Sequence, residues 1–245
     1  MYTEFATVYD LLMQDVDYTA WARHYLDLLG PGILKVTECA CGTGSVTVHL
    51  REAGLNVTGC DLSGEMLQRA MEKSRARGLQ IPYVKQDMRA LRVPRPQDAV
   101  LATCDGVNYL RTEKDALQFF TSARNALRAG GKLCFDVSSE YKLRNTLGNN
   151  LLSLDEENAA YIWQNTWHER TKSVSMELTI FTREGDGDRF VRTRESQTQR
   201  AWKQSELEEL LTEAGFEGIR FFGGMRADAP REKDDRIFVL CEKGA

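Results

Sequence analysis

Glu38, Gly42, Gly44 and Asp61 are the residues whose types and spacing can do chemistry. An apolar run (Ile33, Leu34, Val36) leads to Glu38, Gly42 and Gly44 make a turn, and Val46, Val48 and Leu50 carry the chain into a helix. A strand, a glycine turn and a helix N-terminus together aim backbone N–H groups and the helix dipole at a ligand. Asp61 ends the next apolar run, 19 residues beyond Gly42. That spacing sets a carboxylate beside the turn, where it can accept both hydroxyls of a ribose. A nicotinamide dinucleotide site is disfavoured. Its fingerprint needs a small third residue for close helix packing, and that position holds Thr47. No Tyr-x-x-x-Lys pair occurs to serve such a cofactor. Glu38 would repel a pyrophosphate but suits an ammonium group. The ligand implied carries a ribose and a positive charge, and no phosphate.

These residues need a doubly wound scaffold, and the hydrophobic pattern supplies one. Strands are expected at 33–38, 55–60, 81–86, 98–103 and 132–138, with helices at 19–29, 44–53, 63–77 and 113–129. Ser63 is an N-cap candidate, Thr112-x-x-Asp115 a capping box, and Gly30, Gly78 and Gly130-Gly131 are stops. A further short helix over 3–13 would carry Phe5, Val8, Tyr9 and Leu12 on one face. After Ser139 the period changes from helical to alternating. Three antiparallel strands are expected at 161–168, 173–182 and 189–202. A helix over 206–214, opened by Ser205-x-x-Glu208, and a hairpin of strands near 217–222 and 236–242 complete the chain. The fold class is therefore α/β: a Rossmann-like, seven-stranded, mostly parallel sheet with an antiparallel β-sheet inserted after the fifth strand. Residues 1–139 form the ligand-binding core, 140–202 the insertion, and 203–245 the part that completes the core sheet.

Glu38-x-x-Cys41-Gly42-Thr43-Gly44, Asp61-Leu62-Ser63-x-x-Met66-Leu67 and Gln86-Asp87-Met88 resemble motifs of the class I S-adenosylmethionine-dependent methyltransferases. With Phe-Ala-x-Val-Tyr-Asp at residues 5–10, the chain is similar to the bacterial small-molecule branch that holds the YqeM-type proteins. More distantly it resembles the amino-sugar and glycine N-methyltransferases. The resemblance is strongest over residues 5–138 and implies S-adenosylmethionine as cofactor, with S-adenosylhomocysteine as product. It also implies a seven-stranded sheet with one reversed strand, and an insertion over the strand C-terminal edge that could cap the substrate or pair two subunits. Gly42 and Gly44, with Cys41 and Thr43 beside them, would let the backbone approach the cofactor. Glu38 would face its ammonium group, Asp61 hold the ribose, and Leu62 and Met66 flank the adenine. Asp87 could accept from the adenine amino group, next to Gln86 and the Met88 backbone. Tyr9 would touch the methionine end.

Thr103-Cys104-Asp105-Gly-Val-Asn108-Tyr109 follows the fourth strand, at the crevice where α/β sheets bind ligands. In the resembling family this segment passes the transferring methyl. Cys104 would border the cofactor, Asp105 could accept a proton or fix an acceptor amine, and Asn108 and Tyr109 could line the crevice. His168, in the insertion, is the histidine placed to act as a base.

Composition argues against other classes. A net charge of −4 without a basic stripe argues against nucleic acid as partner. No run of 18 apolar residues and no signal-peptide pattern occurs, so a cytoplasmic protein off the membrane is expected. Cys39-x-Cys41 has no second pair or histidine at ligand spacing, so no metal is expected. The six cysteines read as reduced core residues. The methyl acceptor is expected to be a small molecule, at nitrogen or oxygen rather than carbon.

Overall fold

The computed structural model describes residues 6, 9, 10, 13, 16–185 and 187–244. The helix expected over 3–13 therefore lies outside the described residues, apart from Ala6, Tyr9, Asp10 and Met13. Helix α1 (Tyr18–Leu29) is capped by Asp17, whose carboxylate accepts from Ala20 N at 2.9 Å. The alternation then runs β1 (Lys35–Cys39), α2 (Ser45–Glu52), β2 (Asn56–Asp61), α3 (Gly64–Ala76), β3 (Tyr83–Lys85) and β4 (Gln97–Ala102). After it come α4 (Glu113–Ala126) and β5 (Leu127–Ser138). Ser63 caps α3 through Met66 N at 3.1 Å, and Thr112 caps α4 through Asp115 N at 3.1 Å.

Two of the boundaries that differ from expectation have a local cause. Helix α4 stops at Ala126 rather than at residue 129, because buried Leu127 already pairs with Gln97 of β4. The residues between form a bulge before the ladder resumes at Ala99 and Lys132, with Gly130 in the left-handed region. Near the C-terminus, α5 (Gln204–Glu213) begins two residues early. Its first turn is closed by Glu206, which accepts from Lys203 N at 2.9 Å, and not by Ser205.

The main sheet has the order β10-β11-β5-β4-β1-β2-β3, where β10 is Phe216–Gly223 and β11 is Arg236–Lys243. Strand β11 runs antiparallel to both neighbours and is the one reversed strand. Successive side chains of β5 point to opposite faces. Phe135 and Val137 pack with Phe119, Phe120 and Trp202, whereas Cys134 joins Tyr25, Leu29 and Leu50 on the other face. The order reverses between β1 and β4, so the crevice at their C-terminal ends is the natural ligand site.

The insertion is a four-stranded antiparallel meander, β6 (Leu151–Asp155), β7 (Ala159–His168), β8 (Ser173–Arg183) and β9 (Phe190–Arg200). One strand more than expected is present. Edge strand β6 is only five residues long and follows a π-helical turn at Lys142–Leu147. One face of this sheet packs against Ala6, Tyr9, Met66 and Leu143, which sets it over the crevice.

Candidate functional site

The glycine turn leaves β1 through Ala40 at φ 51°, and Gly42 and Gly44 follow at φ 54° and 71°. Left-handed backbone of this kind favours glycine. A Cβ on Gly42 would meet nothing within 4 Å, so a ligand can approach the backbone there. A Cβ on Gly44 would stand 2.7 Å from Tyr83 Oη and 2.9 Å from Ala70 Cβ. Gly44→Ala is therefore expected to lower stability by about 1–3 kcal/mol through strain and overlap. A thermal melt unchanged from wild type would contradict this packing.

Asp61 ties the two loops together. Its carboxylate accepts from Gly42 N at 2.9 Å and from Ser63 N at 2.8 Å. Burial raises its pKa, and the backbone N–H groups of Ser63 and Gly42 pull it back. The carboxylate thus arrives pre-oriented beside the open face of the turn. Leu62 is 54% exposed next to it, and Met66 is buried under the insertion. Thr43 turns its hydroxyl to Asp10 at 2.6 Å, and Lys73 bridges Asp10, Ser45 and Thr43 at 2.8, 2.6 and 3.1 Å. Lys73 was not singled out from sequence, since a lysine on a helix face carries no local signal, whereas its partner Asp10 closes the motif at residues 5–10.

Glu38 sits beneath the turn, fully buried. Thr47 donates to one of its oxygens at 2.5 Å and Thr103 to the other at 2.6 Å. The residue that broke the dinucleotide fingerprint is thus a hydroxyl donor to this acid. Burial raises the Glu38 carboxyl from 4.5 to about 7, against the pull of the two threonine hydrogen bonds. The folded-state value is the higher one, so the folded protein holds this proton more tightly than the unfolded chain. The cost of its charge is absent below about pH 4.5 and fully present above about pH 7. Glu38→Gln is therefore expected to gain on wild type as pH rises from 5 to 8, by up to about 3 kcal/mol in urea unfolding. A gap that stays constant across that window would show that Glu38 does not titrate there.

Beyond β4, Cys104 and Asp105 adopt φ 53° and 57°. Two successive non-glycine residues in the left-handed region store strain at this crevice. The strain is held by a buried ionic cluster. Asp105 N donates to Asp136 at 2.9 Å, and Arg236 Nη1 donates to Asp136 at 2.6 Å and Asp105 at 2.9 Å. Gln199 of the insertion takes the other Asp105 oxygen at 2.6 Å, and Tyr25 Oη donates to Asp136 at 2.5 Å. Asp105 therefore clamps the segment, with both oxygens engaged, and is not placed as a free proton acceptor.

Two other expectations are corrected. His168 shares a strand face with Ile162, Gln164 and Thr166, is exposed, and bonds Ser175 at 2.8 Å. Strand alternation turns it away from the crevice, so the base assignment is wrong. Asn108 is fully buried and bridges Ser138 and the Arg200 carbonyl, which makes it a tie between β5 and β9 rather than a crevice wall. Asp87 caps the short turn at Met88–Ala90 and chelates Arg89, which also pairs with Asp115 at 2.6 Å. Arg89 comes first in holding Asp87 below the usual carboxylate range. Of the remaining positions, Gln86 accepts from Arg92 N, Met88 is buried, and Cys41 lies buried below Gly42. Tyr109 reaches the insertion, donating to Gln197 at 2.7 Å.

A family profile described as a methyltransferase domain matches residues 36–131, the stretch that carries the turn, Asp61 and the Cys104–Tyr109 segment. The putative methyltransferase YqeM of Bacillus subtilis (strain 168) is 34% identical over 99% of this chain and 97% of its own. The chain belongs to the S-adenosylmethionine-dependent methyltransferases. A crystal structure of an S-adenosylmethionine-dependent methyltransferase from Clostridium acetobutylicum ATCC 824 superposes with TM-score 0.87 at 31% identity, covering 100% of this chain and 99% of the other. The sugar N-methyltransferase KedS8 from Streptoalloteichus sp ATCC 53650 shares the fold at TM-score 0.76 and 20% identity, with 97% and 93% covered. The cofactor of this methyltransferase is S-adenosylmethionine. Its turn fits that group: open backbone at Gly42, the Asp61 carboxylate held against that same backbone, and a Lys73 already neutralised by Asp10.

Proposed function

We propose that this methyltransferase acts on a small molecule, at nitrogen or oxygen, beneath the four-stranded sheet. The observation that carries the reading is the Asp61 carboxylate, fixed by Gly42 and Ser63 N–H groups beside an open glycine turn. In this reading Asp61 binds the ribose hydroxyls, Gly42 and Gly44 give the backbone surface, and Leu62 and Met66 flank the base. Glu38 lies under the turn and favours a nearby ammonium group when ionised. Tyr9, half-buried in the cluster under the insertion, borders the same space.

When bound, the cofactor supplies a methyl group on a positively charged sulfur that is already a good leaving group. The protein has to align the acceptor and exclude water, and it needs no nucleophile of its own. Asp105, Arg236 and Asp136 hold the Thr103–Tyr109 segment in place for that purpose, and Gln199 ties the same clamp to the insertion. An amine acceptor would have to arrive as the free base in this reading, since Asp105, the acid described in the crevice, has both oxygens engaged.

The relatives support a small acceptor: the fold is shared with a sugar N-methyltransferase. The net charge of −4 offers no basic stripe to a nucleic acid. We assign residues 1–139 to cofactor binding, 140–202 to covering the acceptor, and 203–245 to completing the sheet. Six unpaired cysteines, five of them buried, fit a reducing cytoplasm. No helix among the described residues is long and apolar enough to cross a membrane.

Calorimetric titration with S-adenosylmethionine, S-adenosylhomocysteine and NAD⁺ tests the cofactor half. Micromolar binding of the two sulfur nucleotides without an NAD⁺ signal is the expected result. Transfer of labelled methyl to a panel of small amines and phenols tests the acceptor half. Labelling of protein or RNA in place of every small molecule would overturn it.

A further inference from the structure

Between β3 and β4 the chain crosses the sheet without an α-helix. Residues 86–96 make the connection with one short turn at Met88–Ala90. Parallel strands are ordinarily covered on both faces, most often by crossover helices. Here Met88, Leu91 and Val93 pack with Cys39, Cys60 and Val100, which covers the C-terminal half of that face. The N-terminal half is left open as a recess of about 210 Å³. Its floor is polar, because strand pairing sets Lys35 beside Asn56 and Thr37 beside Thr58.

The recess gathers cations and donors that the protein leaves unused. Arg89 is engaged by Asp87 and Asp115. Arg92, Arg95 and Lys35 line the recess instead, and their side chains form no ion pair among the described residues. No Asp or Glu among the described residues borders them there. Gln86 Oε1 accepts from Arg92 N at 2.8 Å, which fixes that amide with its N–H₂ as the free end. Thr37 is 3% exposed, yet its hydroxyl has no protein partner and keeps its opening to the recess. Valine would have the same shape without an unpaired hydroxyl, so stability alone does not account for threonine here. The loop above is restrained: Pro94 and Pro96 fix the backbone on both sides of Arg95, and Gln97 Nε2 donates to the Arg95 carbonyl at 2.6 Å.

We propose that this recess binds the phosphoryl group of a small ligand, with Arg92, Arg95 and Lys35 supplying charge and Thr37, Thr58 and Gln86 supplying hydrogen bonds to its oxygens. Charged oxygens take short, strong hydrogen bonds from such donors. At about 210 Å³ the space falls below the roughly 300–1,000 Å³ of sites for drug-sized ligands, so it suits a phosphate with a small remainder. The three cations border one concavity, which fits a single phosphoryl group and not a nucleic-acid backbone. Strand alternation turns Thr37 away from its neighbour Glu38, so the recess is separate from the glycine turn. The inference therefore stands independently of the cofactor and acceptor assignments.

The test titrates the ¹⁵N-labelled full chain with inorganic phosphate, with D-ribose 5-phosphate and with a short single-stranded RNA. Both phosphates are expected to give saturating shifts of the Thr37 and Thr58 backbone amides and of the Gln86 side-chain amide, which its loss in Gln86→Met identifies. Sodium chloride at the same ionic strength is expected to leave those signals in place. Arg92→Gln combined with Arg95→Gln should weaken phosphate binding at least about tenfold, with the affinity for S-adenosylhomocysteine unchanged. Thr37→Val should weaken phosphate binding at least about threefold and melt at or above wild type. Shifts that sodium chloride reproduces, RNA bound more tightly than either phosphate, or a phosphate affinity unchanged in either variant would overturn the assignment.

Discussion

Arg236→Met is expected to lower folding stability by about 3–5 kcal/mol, the range seen when one partner of a buried ion pair is removed. Arg236 donates to Asp136 at 2.6 Å and to Asp105 at 2.9 Å, and stands 4.9 Å over the Trp21 ring. Burial works against its charge, and the carboxylates of Asp105 and Asp136 more than offset that and hold it protonated. Asp136 is fully buried, and burial already raises its pKa, with Arg236 opposing the rise. Without the guanidinium, two carboxylates would face each other in a nearly dry site. The deficit should shrink as pH falls toward 5, because protonation of a carboxylate whose folded-state pKa is raised relieves the repulsion. Urea unfolding at pH 7 and pH 5 measures both effects. Adding Asp136→Leu to the variant should recover part of the loss, since the stranded charge is what costs most. A single-variant loss under 1 kcal/mol would mean the clamp is not a tight pair.

Asp61→Ala is expected to weaken S-adenosylhomocysteine binding at least about a hundredfold, or roughly 2.7 kcal/mol. Each hydrogen bond from a ribose hydroxyl to a charged acceptor contributes on the order of 1.5–3 kcal/mol, and two are at stake. The substitution also releases the Gly42 and Ser63 N–H groups, so the free protein needs its own thermal melt. Asparagine is not a mild replacement, because both Asp61 oxygens accept from backbone N–H groups and an amide would set N–H₂ against one of them. A small change in melting with a large loss of affinity is the expected pattern. Unchanged affinity would remove Asp61 from the cofactor site.

The residues assigned to the cofactor stand out in the sequence because they are close in the chain and each does a local job. The turn at 42–44, the acid 19 residues later and the Ser63 cap all have short-range signatures. The clamp has none. Asp105 and Asp136 meet Arg236 across 131 and 100 residues, and no spacing rule connects an acid after β4 to an arginine opening β11. The His168 error has a different origin. Both faces of β7 carry aromatic or aliphatic residues (Tyr161, Trp163 and Trp167 on one, Ile162 on the other), so alternation alone did not show which face turned inward. Strand β6 escaped notice because five residues at an edge give too few repeats to establish a period. Glu38 falls in strand β1, where the apolar run placed it, but its two threonine partners depend on helix α2 and strand β4 closing over it.

The distance along the chain between Asp136 and Arg236 also bears on how the protein is made. At about 5–20 residues per second, a ribosome needs about 5–20 s to add the 100 residues between them. Throughout that interval the C-terminal end of β5 carries a carboxylate whose cation has not been synthesised, and its neighbour β11 does not exist. Tyr25 can already hydrogen-bond the acid, but the charge stays unmatched. The nascent sheet therefore keeps β5 as an edge strand until β11 emerges. For those seconds β5 offers an open edge, which makes the growing chain a natural client for chaperones that shield unpaired strands.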